Sequence, residues 1–122
     1  MDTMENRANL PEDQAEEQAQ EESLVLTLKK PYVFEGKTYT SLDLSGLENV
    51  TAGTLENVGK ILAKQSPGLN PATLEMELGF CQLLAARVTS LPLEFFRGMP
   101  ARDAVALKSK IVGFLYGGDG DN

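Results

Sequence analysis

The stretch Leu24–Leu44, LVLTLKKPYVFEGKTYTSLDL, decides how the rest of the chain is read. Leu24, Leu26 and Leu28 alternate with Val25, Thr27 and Lys29, the period-two pattern of a half-buried strand. A second run, Thr38 to Leu44, is β-branched and aromatic, with Leu42 and Leu44 on one face, and Glu35-Gly36 between the runs is a turn sequence. A two-residue loop at Glu35-Gly36 sets Leu28 opposite Asp43 and Leu26 opposite Ser45. A three-residue loop, Phe34-Glu35-Gly36, sets Leu28 opposite Leu42 and Leu26 opposite Leu44, with Gly36 in the left-handed position. Same-face pairing of leucines favours the second register. Pro31 has no N–H for a ladder and marks an edge or a break in the first strand.

A lone hairpin is marginal in water, so its leucine face must pack on the remainder of the chain. From residue 45 onward that remainder reads as helix. Thr51 caps a first helix to about Gln65, with Leu55, Val58, Ile61 and Leu62 on one side. Ser66-Pro67-Gly68 stops it, and Asn70-Pro71 is a helix start with Asn as cap and Pro at the first position. A second helix is expected over 71–89, with Leu74, Leu78, Cys81, Ala85 and Val88 in one stripe. Met76, Phe80, Leu83 and Leu84 widen that stripe beyond one face, as in a central helix or an oligomer contact. Leu93 to Arg97 forms a short helical turn presenting Phe95 and Phe96. Pro100 starts a last helix, about 100–116, with Ala104, Leu107, Ile111, Phe114 and Leu115 inward.

The expected fold is therefore α+β and mostly α: an N-terminal β-hairpin, then a small bundle of three to four helices. Its organisation is a disordered acidic leader (1–22), one hairpin-plus-helices domain (23–117) and a flexible tail (118–122). The leader holds eight acidic residues against Arg7 and so carries the whole net charge of −7. Its only large apolar groups are Met1, Met4 and Leu10, too few to offset chain entropy. It reads as a solubilising segment or as an electrostatic shield over a sticky surface.

Composition narrows the function. The remaining residues carry ten acidic and ten basic side chains, so no basic surface is concentrated for nucleic acid. No apolar run approaches the roughly 20 residues that cross a bilayer, and the acidic N-terminus is unlike a signal peptide. One cysteine forms no disulfide within the chain, which fits a reducing cytoplasm. With no histidine, triads, most zinc sites and His acid–base chemistry fall away. Cys81 lies on an apolar stripe and reads as a structural thiol. Glu75 and Glu77 point to different helix faces. Gly117–Gly120 follows a helix, the wrong context for a phosphate cradle, and Asp119 and Asp121 lack the closing Glu of a calcium loop. The expectation is no enzyme, no cofactor and no metal.

Three pieces in order carry a resemblance: the hairpin segment LTLKKPYVFEGKTYTSLDLSGLENVTAGTLENV, the helix start at Val50-Thr51, and the ending LPLEFFRGMPARDAVALKSKIVGFLYG. Over residues 24–117 the chain resembles the small tail assembly chaperones of contractile-tailed bacteriophages and prophages. The resemblance implies a non-catalytic protein of the host bacterial cytoplasm, absent from the mature virion. It implies that the protein binds and shields the tape measure protein during tail assembly. The tail tube protein is a second candidate partner, and a homo-oligomer is a further expectation. It also implies, in many phages, a longer product made by translational frameshift. The acidic leader is not part of the family pattern. Residues expected to bind the partner are Phe80, Leu84, Phe95, Phe96, Phe114 and Leu115. Those expected at an oligomer contact are Leu24, Leu26, Leu28 and Tyr39. The alternative is a structural tail component or connector retained in the virion.

Overall fold

A computed structural model describes residues 24–117 of the chain, so the expectations for the leader and for 118–122 lie outside the described residues. Strand β1 (Val25–Phe34) pairs antiparallel with β2 (Lys37–Asp43). Helices α1 (Ala52–Gln65), α2 (Leu78–Thr89), α3 (Leu93–Arg97) and α4 (Ala101–Tyr116) come after them in the chain. The expected class, a hairpin followed by a small helical bundle, is the observed one.

The hairpin register departs from expectation. Glu35 (φ 51°) and Gly36 (φ 82°) are both left-handed, so the loop is the two-residue primed turn whose twist suits the strands. From it, Phe34 pairs with Lys37, Val33 with Thr38 and Tyr32 with Tyr39. At the open end Thr27 pairs with Ser41 and Leu26 with Leu42, and the Leu44 N–H donates to the Leu24 carbonyl at 2.6 Å. Between these two registers the four residues Leu28–Pro31 oppose Thr40 alone, a bulge in β1. The leucines do meet on one face, but each pairs two positions from the expected partner. A shift of two keeps every side chain on its own face.

The bulge has a physical cause. Pro31 cannot donate to a ladder, and Lys29 and Lys30 donate elsewhere. Their N–H groups go to the two carboxylate oxygens of Asp103 on α4, at 2.7 and 3.3 Å. Asp103 is the one charged side chain buried among the described residues. Its burial is tolerable because both oxygens accept hydrogen bonds. One carboxylate thereby joins the hairpin to the last helix.

The helical part obeys its punctuation with one correction. Thr51 caps α1 through its hydroxyl, which accepts from the Thr54 N–H. Asn70 caps the next element with a 2.9 Å bond from the Ala72 N–H, and Pro71 begins it. That element is a tight helical turn, Pro71–Met76, and not the start of a helix running to residue 89. Glu77 is extended (φ −82°, ψ 144°) and α2 begins afresh at Leu78. In an unbroken helix Leu74 and Phe80 would point about 120° apart. With the break, both reach Gly59 of α1: a Cβ placed there would lie 3.8 Å from Leu74 Cδ1 and 4.0 Å from Phe80 Cε2.

α2 is the central element, with Phe80, Cys81, Leu84 and Ala85 buried. The hairpin leucines pack on one side of the core and Val58, Leu62, Leu107 and Ile111 fill the rest. Phe95 and Phe96, expected to be exposed on their short turn, are fully buried. The hairpin closes over them. The Phe95 ring meets Tyr32, Phe34, Tyr39 and Phe96 edge-on, with centroids 4.8–5.2 Å apart. The Tyr32 hydroxyl also donates to the Phe95 carbonyl at 2.8 Å.

Candidate functional site

Apart from that aromatic corner, with which they share no lining residue, three elements fail to close. Helix α1 contributes Leu55, Gly59 and Ala63, spaced four apart and so on one face. The Pro71–Met76 turn contributes Leu74, and the end of α4 contributes Leu115 and Tyr116. Phe80 forms the floor. The result is an open groove of about 570 Å³, within the usual size of ligand sites. Its walls are mostly apolar, and Glu56, Lys60 and Glu75 stand on its rim.

Small residues make it concave. Gly59 has no side chain and Ala63 a short one, so α1 leaves space where a larger residue would fill it. Among the described residues one hydrogen bond ties the two edges of the groove: the Tyr116 hydroxyl donates to Glu75 Oε2. That bond holds the Glu75 carboxyl below its usual range and raises the Tyr116 phenol above its own. It links the end of α4 to the 71–76 turn.

The arrangement suits apolar side chains presented by another segment. Other chemistry finds little support. Among the described residues no cluster of three or more His, Cys, Asp or Glu is placed to hold a metal ion. Cys81 is buried, and burial pushes its thiol up to about 11 against a smaller opposing effect of Lys108. A thiol so rarely ionised near neutral pH is a poor nucleophile. No described helix is long and apolar enough to cross a membrane.

The expected partner residues divide. Phe80 and Leu115 do line the groove. Phe114 is 37% exposed on α4 instead of facing inward. Leu84, Phe95 and Phe96 are core, with no exposed surface. Of the expected oligomer residues, Leu24, Leu26 and Leu28 are buried against the helices. Tyr39 is half-buried, edge-on to Phe95, with the Lys37 ammonium 5.1 Å from its ring centre. Leu55, Gly59, Leu74 and Tyr116 line the groove without having been expected there. The Leu55-Gly59-Ala63 spacing was the available cue, since small residues at helical spacing leave a hollow.

No curated protein and no solved structure matches the chain. A family model described as phage tail assembly chaperone proteins, E, or 41 or 14, matches residues 25–116, which span the hairpin, the groove and all four helices. The chain therefore belongs to the family of phage tail assembly chaperone proteins.

Proposed function

We propose that this chaperone is non-catalytic and works by binding and shielding the tape measure protein until the tail assembles around it. The groove between α1, the 71–76 turn and the end of α4 carries this reading. A long protein that must stay apart from itself exposes apolar stripes at helical spacing. Such a stripe docks into an apolar groove through anchors at i, i+3, i+4 and i+7. Glu56 and Lys60 on the rim offer one charge of each sign to the polar flanks of the segment. The tail tube protein is a second partner under this reading, and the action takes place in the host cytoplasm. A second copy of the chain would meet the hairpin's outward face near Val33, because the leucine face is already occupied.

Co-expression with the tape measure protein, followed by pull-down and stoichiometry, tests the proposal. Leu74→Asp should abolish co-purification while leaving the helical circular dichroism in place. A folded Leu74→Asp variant that still co-purifies at wild-type ratio would remove the groove from the reading. Mass spectrometry of finished particles separates the alternatives: a chaperone is absent, and a structural tail component or connector is present at stoichiometric copy number.

A further inference from the structure

One wall of the groove is a single helical turn. α4 contributes only Leu115 and Tyr116 to the lining, and both lie beyond its last fully buried residue, Ile111. The turn they stand on, residues 112–116, lacks the usual devices that hold a helix end. Gly113 sits inside it, where glycine weakens a helix relative to alanine. The last turn carries no basic residue to complement the helix C-terminus. Gly117 ends the helix with right-handed angles (φ −74°, ψ −26°), so the left-handed cap that satisfies terminal carbonyls is not formed. The turn is held by Val112 and Leu115, half-buried against the core, and by the hydrogen bond from the Tyr116 hydroxyl to Glu75. The far end of that bond is firm. Asn70 caps the 71–76 turn, Pro71 begins it and Leu74 packs on the core. The bond therefore runs from a well-anchored edge of the groove to a weakly anchored one.

We infer that the last turn of α4 is a movable wall of the groove, with Gly113 as its hinge and the Tyr116–Glu75 hydrogen bond as the pin that holds it in place. Tyr116 and Glu75 are then positioning residues, which fix the spacing of two groove edges. With the pin made, Leu115 stands in the lining with Leu55 and Leu74 before any segment arrives. A docking helix then meets a preformed site, and less has to be ordered on binding. With the pin broken, the turn frays and the apolar segment loses one of its three walls. Gly113 offers a way to separate hinge from pin. A Cβ there meets no atom within 4 Å, so alanine is accommodated and stiffens the turn. The consequence for binding rests on the reading of the groove as the docking site of the tape measure protein; the hinge and the pin belong to the chain alone.

Hydrogen exchange on the full-length chain without partner tests hinge and pin. Tyr116→Phe should speed exchange of the Leu115, Tyr116 and Gly117 amides about three- to tenfold and leave those of α2 unchanged. Adding Gly113→Ala should restore most of the protection, by about fivefold. The urea midpoint of Tyr116→Phe should stay near that of wild type, because fraying of one turn leaves the core intact. Equal exchange in wild type and Tyr116→Phe, or no recovery in the double variant, would overturn the inference. So would loss of protection along all of α4 with a lowered midpoint, the mark of a bond that only supports the fold. Co-expression with the tape measure protein reads the consequence: recovery should fall in Tyr116→Phe and return in the double variant. Wild-type recovery in Tyr116→Phe would overturn the positioning role. If the wild-type chain itself does not co-purify, the reading of the groove fails, and the exchange rates alone decide between a pinned wall and a fixed one.

Discussion

The molecule has two apolar regions made of similar residues, and they end differently. At the hairpin corner, Tyr32, Phe34, Tyr39 and Phe96 surround Phe95. There the polar groups find partners in Asp103 and the Phe95 carbonyl. At the groove, Leu55, Leu74, Phe80 and Leu115 face one another across open space, tied by one surface hydrogen bond. Hydrophobicity does not distinguish them. What differs is whether a second element is folded over the patch. The hairpin covers the first region, and in this chain nothing among the described residues covers the second.

The comparison breaks most readily at Phe95. Phe95→Ala should cost about 3–5 kcal/mol, because the ring fills a closed site whose four aromatic neighbours cannot all collapse inward. Leu115→Ala, at a half-buried groove position, should cost about 1 kcal/mol or less. Urea denaturation of the two variants measures the difference, and equal losses would mean that the groove is as closed as the corner.

Asp103→Ala should come next, at about 2–4 kcal/mol, since it strands the Lys29 and Lys30 N–H groups in a partly buried bulge. Hydrogen exchange should speed up at those two amides before it does in α2. Unchanged protection there would show that the bulge holds without its carboxylate.

Glycine substitutions sharpen the contrast. A Cβ on Gly46 would lie 2.9 Å from the Val88 carbonyl oxygen, a backbone atom that cannot move aside, so Gly46→Ala should lose about 1–3 kcal/mol. Gly59→Ala meets only ordinary contacts and removes a helix-interior glycine, so it should gain up to about 1 kcal/mol. The same methyl narrows the groove. A higher melting temperature with weaker tape measure co-purification is the expected pair of outcomes.

The smallest effect is expected at Tyr116→Phe. Losing the hydrogen bond should return the Glu75 carboxyl toward its ordinary, higher range, read by NMR titration of its side chain. Because the folded value is the depressed one, the associated stability is present above the unfolded value. It is lost as pH falls through the folded one. Wild type and variant should therefore converge in acid.

Much of the fold was legible from the chain, for reasons that are local. Thr51 and Asn70 cap helices because their side-chain oxygens reach N–H groups two or three residues on. Pro92 and Pro100 bound helices because they lack a donor. The alternation Leu24-Leu26-Leu28 put one hairpin face on the core. Cys81 on its apolar stripe was correctly read as buried.

The errors cluster where two distant segments meet. Leucine pairing predicted the face but not the register, because a carboxylate more than 70 residues away takes the N–H groups that a regular ladder would use. Asn70-Pro71 marked a start but not the stop at Met76, after which Leu74 and Phe80 both lie against Gly59 of a different helix. Phe95 and Phe96 sit on a five-residue helix and looked exposed, and only the folded hairpin shows what covers them.

By itself, the sequence determined the hairpin, the positions of the caps and breaks, the identity of the apolar faces and the resemblance to the chaperone family. Each of these rests on residues within one or two helical turns of each other, where periodicity and missing donors act. Only the tertiary structure decided the bulge at Leu28–Pro31, the closed aromatic corner, the open groove and the carboxylate of Asp103 on the bulge N–H groups. Those depend on contacts between segments far apart in sequence, and a one-dimensional pattern does not say which apolar face meets which.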